Sequence, residues 1–335
     1  MSRRRSIPAA VLMSTALLVT LTACGSYSGG SASGTSGDAG KSDTAGSGGA
    51  FPYTVDNCGV KTTFQRAPQR VVTMNQHVTE VMLELGLEKS LVGTAYLDDA
   101  VLPRYKKAYD SVPVVAKEYP SREKLLSVNP DFVYGGYASA FEAKDGRTRD
   151  GLKDSGIESR LNIEYCTEKR TTLDDLYREV EEVGRTFGVQ ERAERWIAGA
   201  KRTVAGTEKR RAGEKPVPVF VYDGGDKTAT TIGGKGIGQE LITRAGGKNV
   251  FADIDKSFGD ATWEQVVARK PETILILEYG SVSVAQKKKR LLDDPALRDV
   301  PAVRNKSFAV LPLSDAVLGV RAPAAIAKLA TQFDR

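Results

Sequence analysis

One histidine, three cysteines and twelve tyrosines bound the chemistry open to this 335-residue chain. A catalytic or metal centre made from protein groups wants several His, Cys or carboxylate side chains at workable spacing, and His77 has no HExxH or Cys-pair partner. No G-x-S-x-G elbow exposes a serine nucleophile. "TSGDAGKS" places Thr35 where a phosphate loop needs its first glycine, and "GGKGIG" at 233–238 is followed by Gln239 where a dinucleotide fingerprint needs its last. The second remains a glycine-rich turn opening a helix, which either presents N–H groups to an anion or is a tight loop. The residue types therefore predict no enzyme and no protein-ligated metal. They offer instead tyrosine at the ends of apolar runs: Tyr96 after "LVGTA", Tyr134 and Tyr137 in "FVYGGYASAF", Tyr222 closing "VPVFVY" and Tyr279 after "ILILE". Arg321 in "LGVRAP" is a carboxylate or anion clamp or else a surface arginine. His77, after "TMNQ", contacts a ligand or is a polar residue at a helix start.

These groups need elements to position them. Apolar runs bounded by Gly, Pro or polar turns predict strands at 70–74, 90–93, 131–134, 217–222, 273–277 and 307–311, with helical periodicity between them. Glycine closes the helices at 79–85 and 239–245. Strands alternating with helices mean α/β units with parallel pairing, and the chain carries two such series. Between them Thr172 and Asp175 form a capping box, and after Gly188 a long helix runs from about 190 to 211. The expected organisation is an α/β lobe over 51–189, a linker helix over 190–212 and a second α/β lobe over 213–335. Two lobes on a stiff spine would face each other with their strand ends, where open α/β sheets bind ligands.

The two lobes share a phrase. "SREKLLSVNPDFVY" from Ser121 and "TWEQVVARKPETIL" from Thr262 align without a gap at an offset of 141, setting Glu123 on Glu264 and Pro130 on Pro271. Ser121 and Thr262 are good N-caps, so a carboxylate two residues on can simply favour the helix dipole.

Residues 1–23 read as a signal peptide: Arg3, Arg4 and Arg5 precede an apolar run that ends in "LTAC". That ending resembles a bacterial lipobox, in which cleavage leaves Cys24 as the lipidated first residue. Residues 24–50 carry almost no apolar side chain and are expected to be a disordered tether. The folded part would then lie outside the cytoplasm beside the membrane. An oxidising compartment favours a disulfide between Cys58 and Cys166, with two buried thiols as the alternative. The net charge of +6 falls to +3 without the leader arginines, too small to predict a nucleic-acid partner. Lys287-Lys288-Lys289-Arg290 reads as the wet face of a helix.

"PQRVVTMNQHVTEVMLELGLEKSLVGTAY", "EKLLSVNPDFVY", "ELITRAGGKNVF", "WEQVVARKPETILIL" and "PAVRNKSFAVLPL" resemble the extracytoplasmic substrate-binding lipoproteins of ABC importers that carry ferric siderophores, cobalamin or haem. The resemblance covers nearly everything from Phe51 onward. It implies two Rossmann-like lobes joined by one long helix that limits hinge closure, a monomer, and a permease dimer as partner. It also implies that Glu123 and Glu264 pair with arginines of the two permease subunits. Relatives that bind a bare metal ion supply several His and carboxylate ligands, which this chain lacks. A ferric-siderophore-type chelate, held by Tyr96, Tyr134, Tyr137, Tyr222, Tyr279, Arg321 and His77, is the first expectation. Cobalamin comes second, and a deazaflavin cofactor precursor is kept open by the 233–238 turn. A secreted α/β enzyme is the alternative of another class.

Overall fold

The computed structural model describes residues 51–97, 99–166 and 169–334. The leader 1–23, Cys24 and the tether 24–50 lie outside the described residues. The described chain opens with an antiparallel hairpin, β1 (Tyr53–Asn57) and β2 (Val60–Phe64), whose short polar alternation escapes a reading based on apolar runs. Its two-residue turn puts Cys58 at φ 55° and Gly59 at φ 78°, the left-handed pair that matches strand twist. Cys58 is bonded to Cys166 with Cα atoms 4.5 Å apart, which pins the hairpin to the first lobe.

β/α units follow: β3 (Val71–Met74), α1 (Gln76–Glu84), β4 (Leu91–Ala95), α2 (Pro103–Tyr109), β5 (Val114–Ala116), α3 (Arg122–Leu126), β6 (Phe132–Gly135), α4 (Arg149–Lys153) and β7 (Glu158–Leu161). The five strands β3–β7 pair in parallel in the order β5-β4-β3-β6-β7. The chain builds outward from β3 and then crosses to β6, so the topological switch lies between β3 and β6.

Two helices bridge the halves, α5 (Leu173–Thr186), started by the Thr172–Asp175 capping box, and α6 (Gln190–Arg210). At 1.5 Å per residue the 21-residue α6 is about 32 Å long. Arg192 on it donates to the carbonyls of Leu85 and Gly86, satisfying the C-terminal end of α1.

The second half has β8 (Val217–Tyr222), β9 (Ala229–Ile232), α7 (Ile237–Arg244), β10 (Gly247–Asn249), β11 (Phe258–Ala261), α8 (Trp263–Arg269), β12 (Thr273–Glu278), α9 (Val284–Asp293), α10 (Pro301–Arg304), β13 (Phe308–Pro312) and α11 (Ala322–Phe333). Its parallel sheet runs β10-β8-β12-β13, with β9 and β11 as a separate antiparallel pair. Here the switch lies between β8 and β12. The fold is α/β, with two Rossmann-like lobes and a long helix between them.

Side chains alternate across both sheets. Phe132 and Tyr134 of β6, Val219 and Val221 of β8, and Leu275 and Leu277 of β12 enter one continuous core with Leu176, Val180 and Val183 of α5. Val133, with Val72 and Met74, packs on the opposite face of the first sheet, and Phe220 with Ile274 and Ile276 on that of the second. With both faces covered, the strand ends are the part of each sheet that packing leaves open, the usual ligand crevice of α/β sheets.

Candidate functional site

Aromatic rings stand just beyond the carboxyl ends of four first-lobe strands: Tyr96 after β4, Tyr119 after β5, Tyr137 after β6 and Tyr165 after β7. Tyr96 and Tyr119 stack with centroids 4.5 Å apart and planes 11° apart. His77, Tyr137 and Tyr165 form an edge-to-face series at 5.0 and 5.5 Å. Tyr119 also donates to Asn75 Oδ1 at 3.0 Å, and the buried Arg147 guanidinium lies 5.3 Å from its ring. Tyr119 and Tyr165 are not among the expected contacts because β5 has only three residues and β7 reads Glu-Ser-Arg-Leu, so neither registers as an apolar run; a tyrosine after four of the five strands is the signal that could have found them.

The backbone at this rim is strained. Asn75, the last residue before α1, has φ 87° and ψ 150°, a region that side chains avoid, and Tyr96 has φ 51°. Gly136, after β6, faces them across the switch; a Cβ there would lie 2.4 Å from His77 Cε1, so only glycine lets the imidazole in.

His77 is buried behind Tyr137, and its Nε2–H donates to the Gly136 carbonyl at 3.1 Å. It therefore supports the rim and does not form its exposed surface. Burial lowers its pKa from 6.5 to about 4, so the fold holds it neutral. Below pH 6.5 the unfolded chain takes up a proton that the fold refuses, so this residue costs stability as pH falls toward 4, by up to about 3 kcal/mol. Urea unfolding from pH 7 to 4 is expected to show a shallower loss for His77→Gln than for the wild type. Identical slopes would remove His77 as the source.

In the second lobe Tyr222 and Tyr279 line a cavity of about 480 Å³ at the ends of β8 and β12, on the switch point. Tyr222 is buried, donates to Gly225 O at 2.9 Å and packs 5.8 Å from Trp263. Tyr279 is 37% exposed, hydrogen-bonded to the Asp223 carboxylate, and pushed up to about 12 by burial and by that carboxylate. Lys287 corrects the view of its basic run as a wet face: it is buried, donating to Leu277 O and Asp223 O at 2.6 and 2.5 Å. Its ammonium lies 4.7 Å from the Tyr279 ring.

Two expected ligand contacts lie elsewhere. Tyr134 points into the shared core, where its hydroxyl donates to Glu179, itself bonded to Arg160. Strand alternation decides this: two residues earlier Phe132 enters the same core. Arg321 is likewise no clamp for a ligand. Its guanidinium binds Glu80 through Nε at 2.6 Å and Nη2 at 2.7 Å, and it also donates to Ala100 O and Ser314 Oγ. It ties the start of α11 to α1 across the two lobes. A second tie explains the 233–238 turn. Glu164, after β7, accepts from Ile237 N at 2.8 Å and Leu318 N at 3.1 Å, so the anion at the N-terminus of α7 is the protein's own. These ties join loops at the carboxyl ends of β4 and β7 to α7 and the loop after β13.

Glu123 and Glu264 are exposed in the first turns of α3 and α8, and neither has an ion-pair partner among the described residues. The repeat extends to the backbone: Asn129 at φ 47° and Lys270 at φ 46° occupy equivalent left-handed positions before the equivalent prolines. Among the described residues no group of three or more His, Cys, Asp or Glu is arranged to hold a metal ion. None of their helices is long and apolar enough to cross a membrane.

A model of the periplasmic binding protein family matches residues 71–314. The chain is 23% identical over 242 residues to an uncharacterised ABC transporter substrate-binding lipoprotein, YvrC of Bacillus subtilis, covering 71% of this chain and 73% of that one. It is 23% identical over 213 residues to the vitamin B12-binding protein of Vibrio parahaemolyticus, covering 63% and 72%. Among solved structures, a periplasmic binding protein of Veillonella parvula matches with a TM-score of 0.77 at 30% identity, covering 84% of this chain and 96% of that one. An ABC-type Fe3+-hydroxamate transport protein of Saccharomonospora viridis matches with a TM-score of 0.71 at 26% identity, covering 85% and 100%.

Proposed function

The chain belongs to the periplasmic binding protein family, as a substrate-binding protein of an ABC importer and not an enzyme, and on that footing we propose that it carries a ferric-siderophore-type chelate. The observation that carries this reading is the first-lobe rim, where Tyr96, Tyr119, Tyr137 and Tyr165 set aromatic rings at the ends of four strands. Iron that arrives with its coordination sphere filled needs contact surface from the protein more than metal ligands, and an aromatic rim supplies it. The hydroxamate transport protein of Saccharomonospora viridis supports the same choice. Cobalamin is the second reading, favoured by the vitamin B12-binding relative. A deazaflavin cofactor precursor loses its support, since Glu164 takes the N–H at the turn that kept it open.

In this reading Cys24 anchors the protein by lipid to the outer face of the cell membrane, the protein acts as a monomer, and Glu123 and Glu264 dock the two permease subunits. The long helix α6, packed along α5, resists wide hinge closure.

Trp263 reports binding directly, because it touches Tyr222 and lies under the Arg290 guanidinium at 4.4 Å. Fluorescence titration of the purified protein with ferric hydroxamates, cobalamin and haem is expected to give saturation with a ferric hydroxamate. Saturation by cobalamin or haem with no response to any ferric chelate would replace the first reading.

A further inference from the structure

The second-lobe cavity contains a carboxylate with an unused acceptor. Asp223, the residue after β8, lines the cavity, and its Oδ1 is buried without a hydrogen-bond partner. An unpaired buried acceptor costs stability, so a purely structural aspartate here should have been served by its neighbours. They are committed otherwise. Lys287 gives its ammonium to the carbonyls of Asp223 and Leu277. Arg290 donates to Asp226 O and pairs with Asp294. Among the described residues the Tyr279 hydroxyl is the hydrogen-bond donor to the carboxylate, and the Lys287 ammonium acts on it through charge.

Tyr279 stands at the mouth, 37% exposed, beside Val282 at 51%. Both line the cavity that holds the carboxylate. Tyr222 and Tyr279 form the aromatic walls, and the position is the switch point between β8 and β12, where an α/β sheet takes its ligand.

We propose that Asp223 is a specificity-determining residue of the cleft: its carboxylate takes an N–H donor from the organic shell of the ligand, an amide N–H or an ammonium group. Tyr279 holds that donor's place while the cavity is empty. The assignment rests on the ferric-chelate reading above and names the part of the chelate that the second lobe reads.

The test titrates wild type, Asp223→Asn and Tyr279→Phe with three ferric complexes by Trp263 fluorescence. One is a linear trihydroxamate with a terminal primary amine, one a cyclic trihydroxamate with amide N–H groups only, and one the N-methylacetohydroxamate complex, which has no N–H. Asp223→Asn is expected to weaken the N–H-bearing complexes roughly 10- to 100-fold and to leave the third unchanged. A larger loss for the amine-bearing complex assigns the ammonium, and equal losses assign the amide. Tyr279→Phe removes the competing donor and should tighten the first two roughly 2- to 10-fold. Wild-type affinity of a normally folded Asp223→Asn for both N–H-bearing complexes overturns the assignment. If that variant does not fold, unchanged or weaker binding by Tyr279→Phe does so. Failure of the wild type to bind any of the three is a separate result: it overturns the ferric-chelate reading, and this assignment with it.

Discussion

Cells carrying Glu123→Arg together with Glu264→Arg are expected to lose uptake by tenfold or more (roughly 1.4 kcal/mol or above at the docking step) while the purified protein binds its ligand as before. Both carboxylates are exposed, so their removal from the helices costs little. Each sits near an N-cap that already works: Ser121 accepts from Lys124 N, and Thr262 forms a capping box with Gln265. If the glutamates only favour the helix dipoles, alanine at either position slightly lowers stability and transport is unaffected. If they dock the permease, each single reversal sets like charges together on one lobe and the double reversal does so on both. The decisive comparison is uptake by cells beside ligand affinity of the same purified variant. Normal uptake with normal binding would reduce the repeat to a record of fold duplication.

Replacing Arg321 with Met is expected to destabilise the protein by about 3–5 kcal/mol, because it strands a buried carboxylate. Glu80 is 1% exposed and receives two of the arginine's donors, with Leu102 N as its remaining partner. Removing both charges is a different matter. Glu80→Leu with Arg321→Met should recover most of the loss, since an apolar pair avoids the desolvation that the ion pair must offset. Ligand affinity measured on folded protein separates this from a clamp. A clamp would give a variant with normal unfolding and much weaker binding, and that result would restore Arg321 to the ligand site.

Local sequence determined the longest elements of this protein to within a residue or two. The runs at 217–222 and 273–277 are dense in β-branched and aliphatic residues, and the pattern of α6 repeats over 21 residues, so propensity and periodicity agree there. The 121–134 and 262–275 repeat was legible for the same reason: caps, apolar spacing and proline are written in neighbouring residues. So was the lack of a catalytic constellation, a matter of residue types alone.

Tertiary structure decided which polar groups are available to a ligand. Tyr134 and Tyr137 lie three residues apart in one quoted phrase, yet one hydroxyl is spent on Glu179 and the other ring joins the rim, because the pleat of β6 sends Tyr134 inward and the strand ends before Tyr137. Arg321 and the 233–238 turn looked like anion sites from their chemistry, and they are: the anions are Glu80 and Glu164, 241 and 73 positions away in the chain. Lys287 is buried and Lys289 exposed although both belong to one basic run, since a helix turns about 100° per residue and only one side of α9 faces the sheet. A side chain's partner across the fold is set by the packing of whole lobes. No local pattern encodes it, so the residues that remain free for a ligand emerge only once every internal partner has been placed.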